Sequence, residues 1–243
     1  MGPKSIMKIT VFQTGLVPEA LRSQFDGYGL MIADLIDKER KQFQFEVISV
    51  LEGDPVPAIG DVEAIAISGS ALGVYDETDW MDDLRELIRE AYARNIPMLG
   101  ICFGHQLIAD ALGGDVRKSE KGWGLGRQQY EVKHRPEFLD SFPDQLRFSV
   151  VHQDQVIQPP KSASVVAGNE FAPNAVLAYE NGATFSIQAH PEFDDHYTTE
   201  LFELRKGEVF PLDQANEALK TLDGDNHNQQ AGEVFRRFFA KFG

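Results

Sequence analysis

The sequence contains one cysteine, Cys102, among 243 residues. A single thiol cannot form a disulfide within the chain, so a reducing compartment is expected. No run of residues approaches the ~18 apolar residues that a membrane span needs, which argues against a membrane partner. The first six residues also lack the apolar core of a signal peptide. Together these absences predict a cytoplasmic protein.

Basic residues are also scarce. Lys and Arg total 23 against 38 Asp and Glu, which gives a formal net charge of −15. Such a surface repels the phosphates of nucleic acids, so we expect no nucleic-acid partner. The acidity is typical of a surface that keeps a protein soluble, and a basic protein partner is the alternative interpretation.

Short apolar runs in the first half, bounded by Gly, Pro and Asp, predict strands that are buried on both faces of a parallel sheet. They are Ile9–Phe12, Phe45–Val50, Ala64–Ser68 and Met98–Cys102. Helical spacing of apolar residues from 28 to 36 and from 84 to 92 predicts helices between these strands. For the second helix, Asp79 is a candidate N-cap, and Asn95 followed by Pro97 ends it. This alternation indicates βαβ units in a single α/β domain.

The second half predicts shorter strands after a turn at Gly122–Gly126, and then a helical tail. The strand candidates are Gln128–Val132, Phe148–His152, Ala163–Ala167, Val176–Tyr179 and Thr184–Gln188. Apolar residues at helical spacing follow Glu192, first around Leu201 and then from Val234 to Phe239.

The segment Gly100–Gly104 has the G-x-nucleophile-x-G pattern, with Cys102 in the nucleophile position. It follows a predicted strand and precedes a predicted helix, which is the context that this motif requires. The thiol then lies at a helix N-terminus, whose partial positive charge favours the thiolate. The backbone N–H of Phe103 is placed to receive an oxyanion. A lone cysteine is otherwise a small core residue, and the strand–turn–helix context favours the nucleophile.

A thiol nucleophile needs a base, and His190 is the candidate. His190 and Glu192 are two residues apart at the end of a predicted strand, so both side chains can project from the same side. Glu192 would hold the imidazole tautomer while the other ring nitrogen faces Cys102. Taken alone, a His-Pro-Glu segment is more often a surface loop.

The segment Gly100–Gln106, followed much later by His190–Glu192, resembles the class I glutamine amidotransferases in motif order and spacing. The resemblance implies a flavodoxin/Rossmann-like three-layer α/β sandwich around a mostly parallel sheet. It implies a single domain over residues 1–243, with a catalytic core of about 8–193 and a helical tail of 194–243. Within the family, the chain looks most like stand-alone relatives of the GMP-synthase glutaminase domain, among them the γ-glutamyl peptidases.

Carried over position by position, the resemblance implies a Cys102-His190-Glu192 triad that cleaves glutamine or a γ-glutamyl amide through a thioester. The family's oxyanion strand usually carries Gly-Gly-Pro; Ser68-Gly69-Ser70 occupies that place here, and the backbone N–H of Gly69 would act with that of Phe103. Further substrate contacts are implied for Gln106, Val151 and His152. The resemblance implies no cofactor. No Cys/His cluster has metal-ligand spacing, so no metal is expected either.

Other aromatic and histidine residues have less specific interpretations. Tyr28 and Trp123 are candidates for the mouth of the site, although apolar core residues are the more usual assignment for such side chains. His105 directly follows Gly100–Gly104, the strand–turn–helix segment called the nucleophile elbow, and is expected to pack or cap rather than to take part in the chemistry.

Four hypotheses remain open. The first is a self-sufficient hydrolase of γ-glutamyl amides or peptides. The second is a glutaminase subunit that passes ammonia to a separate synthetase. The third is a regulatory protein that has abandoned catalysis, which the presence of all three triad residues disfavours. The fourth is another family with the same strand–elbow–helix arrangement, in which the His190–Glu192 pair is not needed. The leaving group, the acceptor and the oligomeric state stay open.

Overall fold

The computed structural model describes residues 6–140 and 142–243. Residues 1–5 lie outside the described residues. The prediction that no signal peptide is present concerns mainly these residues, and the predicted domain begins with them. In the described part of the chain, one large mixed sheet has the strand order β2-β1-β3-β4-β11-β10-β9-β6-β7, and β5 pairs with β8 in a separate small sheet. The strands are β1 Met7–Gln13, β2 Phe43–Ser49, β3 Ala64–Ile67, β4 Met98–Ile101, β5 Asp115–Lys118, β6 Gly124–Val132, β7 Gln145–His152, β8 Asp154–Gln158, β9 Ala163–Gly168, β10 Val176–Tyr179 and β11 Thr184–Ile187.

Five adjacent strands, from β2 to β11 in the sheet order, run parallel to one another. Their residues alternate between two apolar layers: Ala64 and Ala66 of β3 face one cluster, whereas Ile65 and Ile67 face the other. A strand buried on both faces has no polar alternation, which is why these segments read as continuous apolar runs. The other four strands of this sheet, β10, β9, β6 and β7, pair antiparallel and extend it beyond β11.

Helices cover both faces of the parallel strands and make the predicted three layers. Ile32 and Phe235, from the first and last helices, pack in one apolar cluster, and Leu84 and Leu107, from the two central helices, pack in the other. The helices are α1 Tyr28–Asp37, α2 Met81–Ala93, α3 Phe103–Ala111, α4 Asp195–Arg205, α5 Leu212–Lys220 and α6 Asn228–Ala240. Because α6 shares the apolar cluster of β1 and β3, the C-terminal residues belong to the same core as the parallel strands.

Several local predictions need correction. Helix α2 begins at Met81 after Trp80, and no side chain caps it, so the prediction of Asp79 as the N-cap is wrong. Asn95 does adopt a positive φ of 56° just after that helix, as a helix-ending residue does. Only the first two residues of the predicted turn at Gly122–Gly126 lie outside a strand, because β6 already starts at Gly124. Strands β5 and β8 and helix α5 had no counterpart among the predictions.

Within the residues that the structure describes, no helix is long and apolar enough to cross a membrane.

Candidate active site

Cys102 occupies the tight turn between β4 and α3. Its backbone has φ +52° and ψ −101°, in a region that non-glycine residues rarely adopt. Such a conformation costs about 1–3 kcal/mol and persists only where the surroundings impose it. Here the Cys102 N–H donates to Ile187 O of the neighbouring strand at 2.8 Å, and the Cys102 carbonyl accepts from Gln106 N at 3.1 Å. The residue is only 4% exposed.

The two glycines of the elbow permit close backbone approaches. A Cβ at Gly100 would lie 2.5 Å from Gly104 O, and a Cβ at Gly104 would lie 2.4 Å from Ile67 O. Both distances are shorter than any real contact allows, so a side chain at either position would push the turn apart. The G-x-C-x-G pattern is therefore explained by the packing of α3 against β3 and β4.

His190 and Glu192 reach the elbow because β11 lies next to β4. Ile187, the last residue of β11, pairs with Ile101, the residue before the cysteine. His190 Nδ1 lies 2.8 Å from Glu192 Oε1, and both side chains are buried. Because a carboxylate accepts, Nδ1 donates, and the other ring nitrogen is left free to interact with Cys102, whose charge acts on His190.

The surroundings of His190 favour its charged form. Burial alone would lower the pKa of the imidazole, but the charges of Cys102 and Glu192 and the hydrogen bond to Glu192 raise that pKa to about 10. The ring also stacks on Phe193, with 4.2 Å between ring centroids and 7° between planes. Sequence inspection did not single out Phe193, although its position directly after the His-Pro-Glu segment is a local signal.

The two residues predicted to donate to the oxyanion, Gly69 and Phe103, both lie next to Cys102. A Cβ at Gly69 would lie 2.7 Å from His190 Cε1 and 3.6 Å from Cys102 Cβ, so the backbone here borders both residues. Gly104 N donates to Ser68 O at 3.1 Å, which joins the elbow to the end of β3. Phe103 is the first residue of α3, and its N–H therefore has no acceptor inside the helix.

The three predicted substrate contacts also lie around the cysteine. Val151 O is 3.9 Å from Cys102 Sγ. His152 Nδ1 lies 3.1 Å from Asp154 O, and Gln106 Nε2 donates to the same carbonyl at 2.8 Å. Burial lowers the pKa of His152 to about 4, against the hydrogen bond to Asp154 and with a smaller contribution from the charge of His190. The proposed roles of these residues stay predictions.

Gln188 also contacts the thiol, and sequence inspection missed it. Its Nε2 lies 3.6 Å from Cys102 Sγ, its Oε1 accepts from Gln106 Nε2 at 3.2 Å, and the residue is 1% exposed. A buried glutamine two residues before the His-Pro-Glu segment is the signal that was available. In the sequence it stands only as the end of a predicted strand.

The remaining candidates form the surroundings of the site. His105 is fully buried, with Nδ1 2.8 Å from Ser186 Oγ, and burial lowers its pKa to about 3. Tyr28 contacts Phe193, and its hydroxyl lies 2.9 Å from that of Tyr197 in α4. Trp123 packs edge-on against Phe210, between α4 and α5. The tail thus contacts both aromatic residues predicted for the mouth. In the described chain, no three His, Cys, Asp or Glu residues are grouped so as to hold a metal ion.

The chain belongs to the class-I glutamine amidotransferases, because the family model "Glutamine amidotransferase class-I" matches residues 30–203. The resemblance inferred from the motifs is thereby confirmed. A glutamine-hydrolysing GMP synthase subunit of Saccharolobus solfataricus is 32% identical over 68% of this chain and 86% of its own. "Gamma-glutamyl peptidase 2" of Arabidopsis thaliana is 25% identical over 91% of this chain and 92% of its own.

The fold is also that of solved glutamine amidotransferases. The structure of one from Thermotoga maritima superimposes with a TM-score of 0.75, at 21% identity, and covers 98% of both chains. The predicted three-layer α/β fold with a parallel core is therefore confirmed.

Proposed function

We propose that this protein hydrolyses glutamine or γ-glutamyl amides and peptides through Cys102, His190 and Glu192. One observation carries the proposal: the only cysteine of the chain lies at a positive-φ elbow beside His190, whose Nδ1 is 2.8 Å from Glu192 Oε1. This is the order of contacts that nucleophilic catalysis by a thiol requires, with the third residue orienting the base.

In the first half of the reaction, His190 accepts the proton of the Cys102 thiol, and the thiolate sulphur attacks the γ-carbonyl carbon of the substrate. The carbonyl oxygen becomes an oxyanion, which the backbone N–H groups of Gly69 and Phe103 stabilise. The C–N bond then breaks, and the amine leaves with the proton that His190 donates. The product of this half is a γ-glutamyl thioester on Cys102, together with ammonia or a substituted amine.

In the second half, a water molecule attacks the thioester carbon while His190 accepts a proton from it. The C–S bond breaks, and the sulphur leaves as a thiolate paired with the protonated imidazole. Glutamate is released from glutamine or a simple γ-glutamyl amide. Glu192 keeps the imidazole in one tautomer through both halves and favours its charged form, in keeping with the raised pKa of His190.

A self-sufficient hydrolase is the preferred form of the proposal. The supporting observation is that the γ-glutamyl peptidase aligns with 91% of this chain, whereas the GMP synthase subunits align with about two-thirds. The part of the chain that follows the His-Pro-Glu segment supplies α4, which packs against the site through Tyr197 and Phe193.

The second candidate is a glutaminase subunit that supplies ammonia to a separate synthetase. The relatives named as GMP synthase subunits favour it, since a protein of that kind works together with a partner. Both candidates use the same chemistry and differ in the leaving group and in the need for a partner.

The test is turnover of free glutamine against a panel of γ-glutamyl amides and peptides, with Cys102→Ala as the blank. Fast Cys102-dependent release from one substituted γ-glutamyl compound is expected for the self-sufficient hydrolase. Slow hydrolysis of glutamine alone, accelerated by an added synthetase, would support the second candidate. Release that is equal in the Cys102→Ala variant would rule out both.

A further inference from the structure

The side chain of Gln188 lies between the thiol and a chain of fixed hydrogen bonds. It is buried directly after β11, and its backbone N–H donates to Ala175 O at 2.7 Å, which fixes the position of the residue. Its amide contacts Cys102 Sγ on one side and Gln106 on the other. The role of the residue depends on which end of the amide faces the sulphur.

The carbonyl of Asp154 decides the orientation. A backbone carbonyl only accepts, so Gln106 must present its NH₂ group to Asp154 O at 2.8 Å. The same NH₂ group donates to Gln188 at 3.2 Å, so Gln188 must present Oε1 on that side. Its own NH₂ group then faces Cys102 Sγ at 3.6 Å. If either amide group were rotated by 180°, two donors or two acceptors would face each other.

The groups around Cys102 Sγ differ in whether they favour the thiol or the thiolate form of that residue. Val151 O, at 3.9 Å, accepts a hydrogen bond only from the neutral thiol. The Gln188 NH₂ group and a protonated His190 both donate, and a donor stabilises the anion more than the neutral group.

We propose that Gln188 is a positioning residue that donates a hydrogen bond to Cys102 Sγ, and that the contacts from Asp154 O through Gln106 hold its amide in that orientation. The donor favours the thiolate before substrate binds and fixes the direction of the sulphur lone pairs. This inference rests on the proposed function of Cys102 as nucleophile. It concerns the free protein, so it can be tested without a substrate.

The test is the rate of alkylation of the protein by iodoacetamide as a function of pH. Because the chain has one cysteine, the reaction reports Cys102 alone. Gln188→Met keeps the length of the side chain and removes the donor. We expect the pH midpoint of alkylation to move upward by about one unit.

Gln188→Glu is the second variant, because it keeps the shape and the acceptor for Gln106 while placing a carboxylate near the sulphur. Its midpoint should move upward at least as far as that of Gln188→Met. Gln13→Met is the matched control: Gln13 is a buried glutamine at the end of β1 whose amide contacts Ser49 and Gly29, and its midpoint should stay at the wild-type value.

An unchanged midpoint in a folded Gln188→Met or Gln188→Glu variant would overturn the proposal. Steady-state kinetics separate this role from substrate binding, since a residue that acts through the sulphur lowers kcat and leaves KM nearly unchanged. If no γ-glutamyl compound were turned over, the proposed function would fail, whereas the alkylation profile would still decide the role of Gln188.

Discussion

Two His-x-acid segments meet in this site, His190–Glu192 and His152–Asp154, and their histidines experience opposite surroundings. Both rings are almost fully buried, and both use Nδ1 toward the residue two positions ahead. In the first segment the acceptor is the Glu192 carboxylate, and the pKa of His190 rises to about 10. In the second it is the backbone oxygen of Asp154, and the pKa of His152 falls to about 4.

Burial favours the neutral form of both histidines, and only at His190 do charged partners outweigh it. A backbone carbonyl has no net charge, so it cannot offset the cost of burying an imidazolium. The carboxylate of Glu192 and the sulphur of Cys102 can. One segment therefore favours a protonated ring near Cys102, and the other favours a neutral ring that donates to Asp154 O.

The largest expected effect separates the two histidines. Asparagine in either place can still donate in the manner of Nδ1, but it lacks the second ring nitrogen. His190→Asn should lower kcat on the best substrate by about 10⁴-fold, whereas His152→Asn should lower kcat/KM by about tenfold, mainly through KM. Steady-state kinetics check this pair. Equal losses in the two variants would remove the distinction between the segments.

A smaller effect separates the two acidic residues. Glu192→Gln should slow turnover by about 10²–10³-fold, since the ring loses its charged partner while the thiol nucleophile remains. Asp154→Asn should cost no more than about threefold, because its contact with His152 uses the backbone carbonyl, which the substitution keeps. Alkylation of Cys102 should persist in both variants. A rate for Glu192→Gln equal to wild type would show that Glu192 does not orient His190.

The glycines beside the two rings give the next comparison. A Cβ at Gly69 would meet His190 Cε1 at 2.7 Å, and a Cβ at Gly124 would meet His152 Nε2 at 3.2 Å. Gly69→Ala should lower kcat by about 10–100-fold, because it displaces the base from the sulphur. Gly124→Ala should act mainly on stability, by about 1–3 kcal/mol, since it also crowds Phe171 at 2.5 Å. Paired activity and thermal-unfolding measurements check both; a loss of activity only in Gly124→Ala would contradict the assignment.

The smallest effect is on stability as a function of pH. His152 has a lowered pKa in the folded state, so its contribution is present above about pH 6.5 and is lost as the pH falls through about 4. His190 has a raised pKa, so its contribution is present below about pH 6.5 and is lost as the pH rises through about 10. His152→Asn should remove about 1–2 kcal/mol of the loss of stability between pH 7 and pH 5. Denaturant unfolding of both proteins at the two pH values measures this. An identical acid dependence would show that His152 is not buried in its neutral form.

The parallel half of the fold could be predicted because its signals are local. A strand buried on both faces is a short apolar run, and strand, nucleophile and helix follow one another within Met98–Ala111. The antiparallel half was harder to predict. Strands β5 and β8 are short and largely polar, and their stability depends on their pairing with each other. No local sequence pattern predicts such a pair of strands.

The candidate site could be predicted only for residues whose type itself indicates a chemical role. Cys102 stands out as the only cysteine, within a G-x-C-x-G pattern, and His190 stands out through the His-Pro-Glu segment at the end of a predicted strand. Gln188 does not, since its role depends on where Asp154 O, Gln106 and Cys102 meet in space. The prediction of Asp79 as a cap failed because α2 begins two residues later, at Met81, and has no side-chain cap.

The most direct measurement of the central claim is the mass of the intact protein after acid quenching during turnover of glutamine or the best γ-glutamyl amide. We predict one added γ-glutamyl group, which peptide mapping locates on Cys102 and which is absent from Cys102→Ala. More of this adduct should accumulate when hydrolysis of the thioester is slowed. Turnover that continues in Cys102→Ala, or an adduct on another residue, would contradict the account.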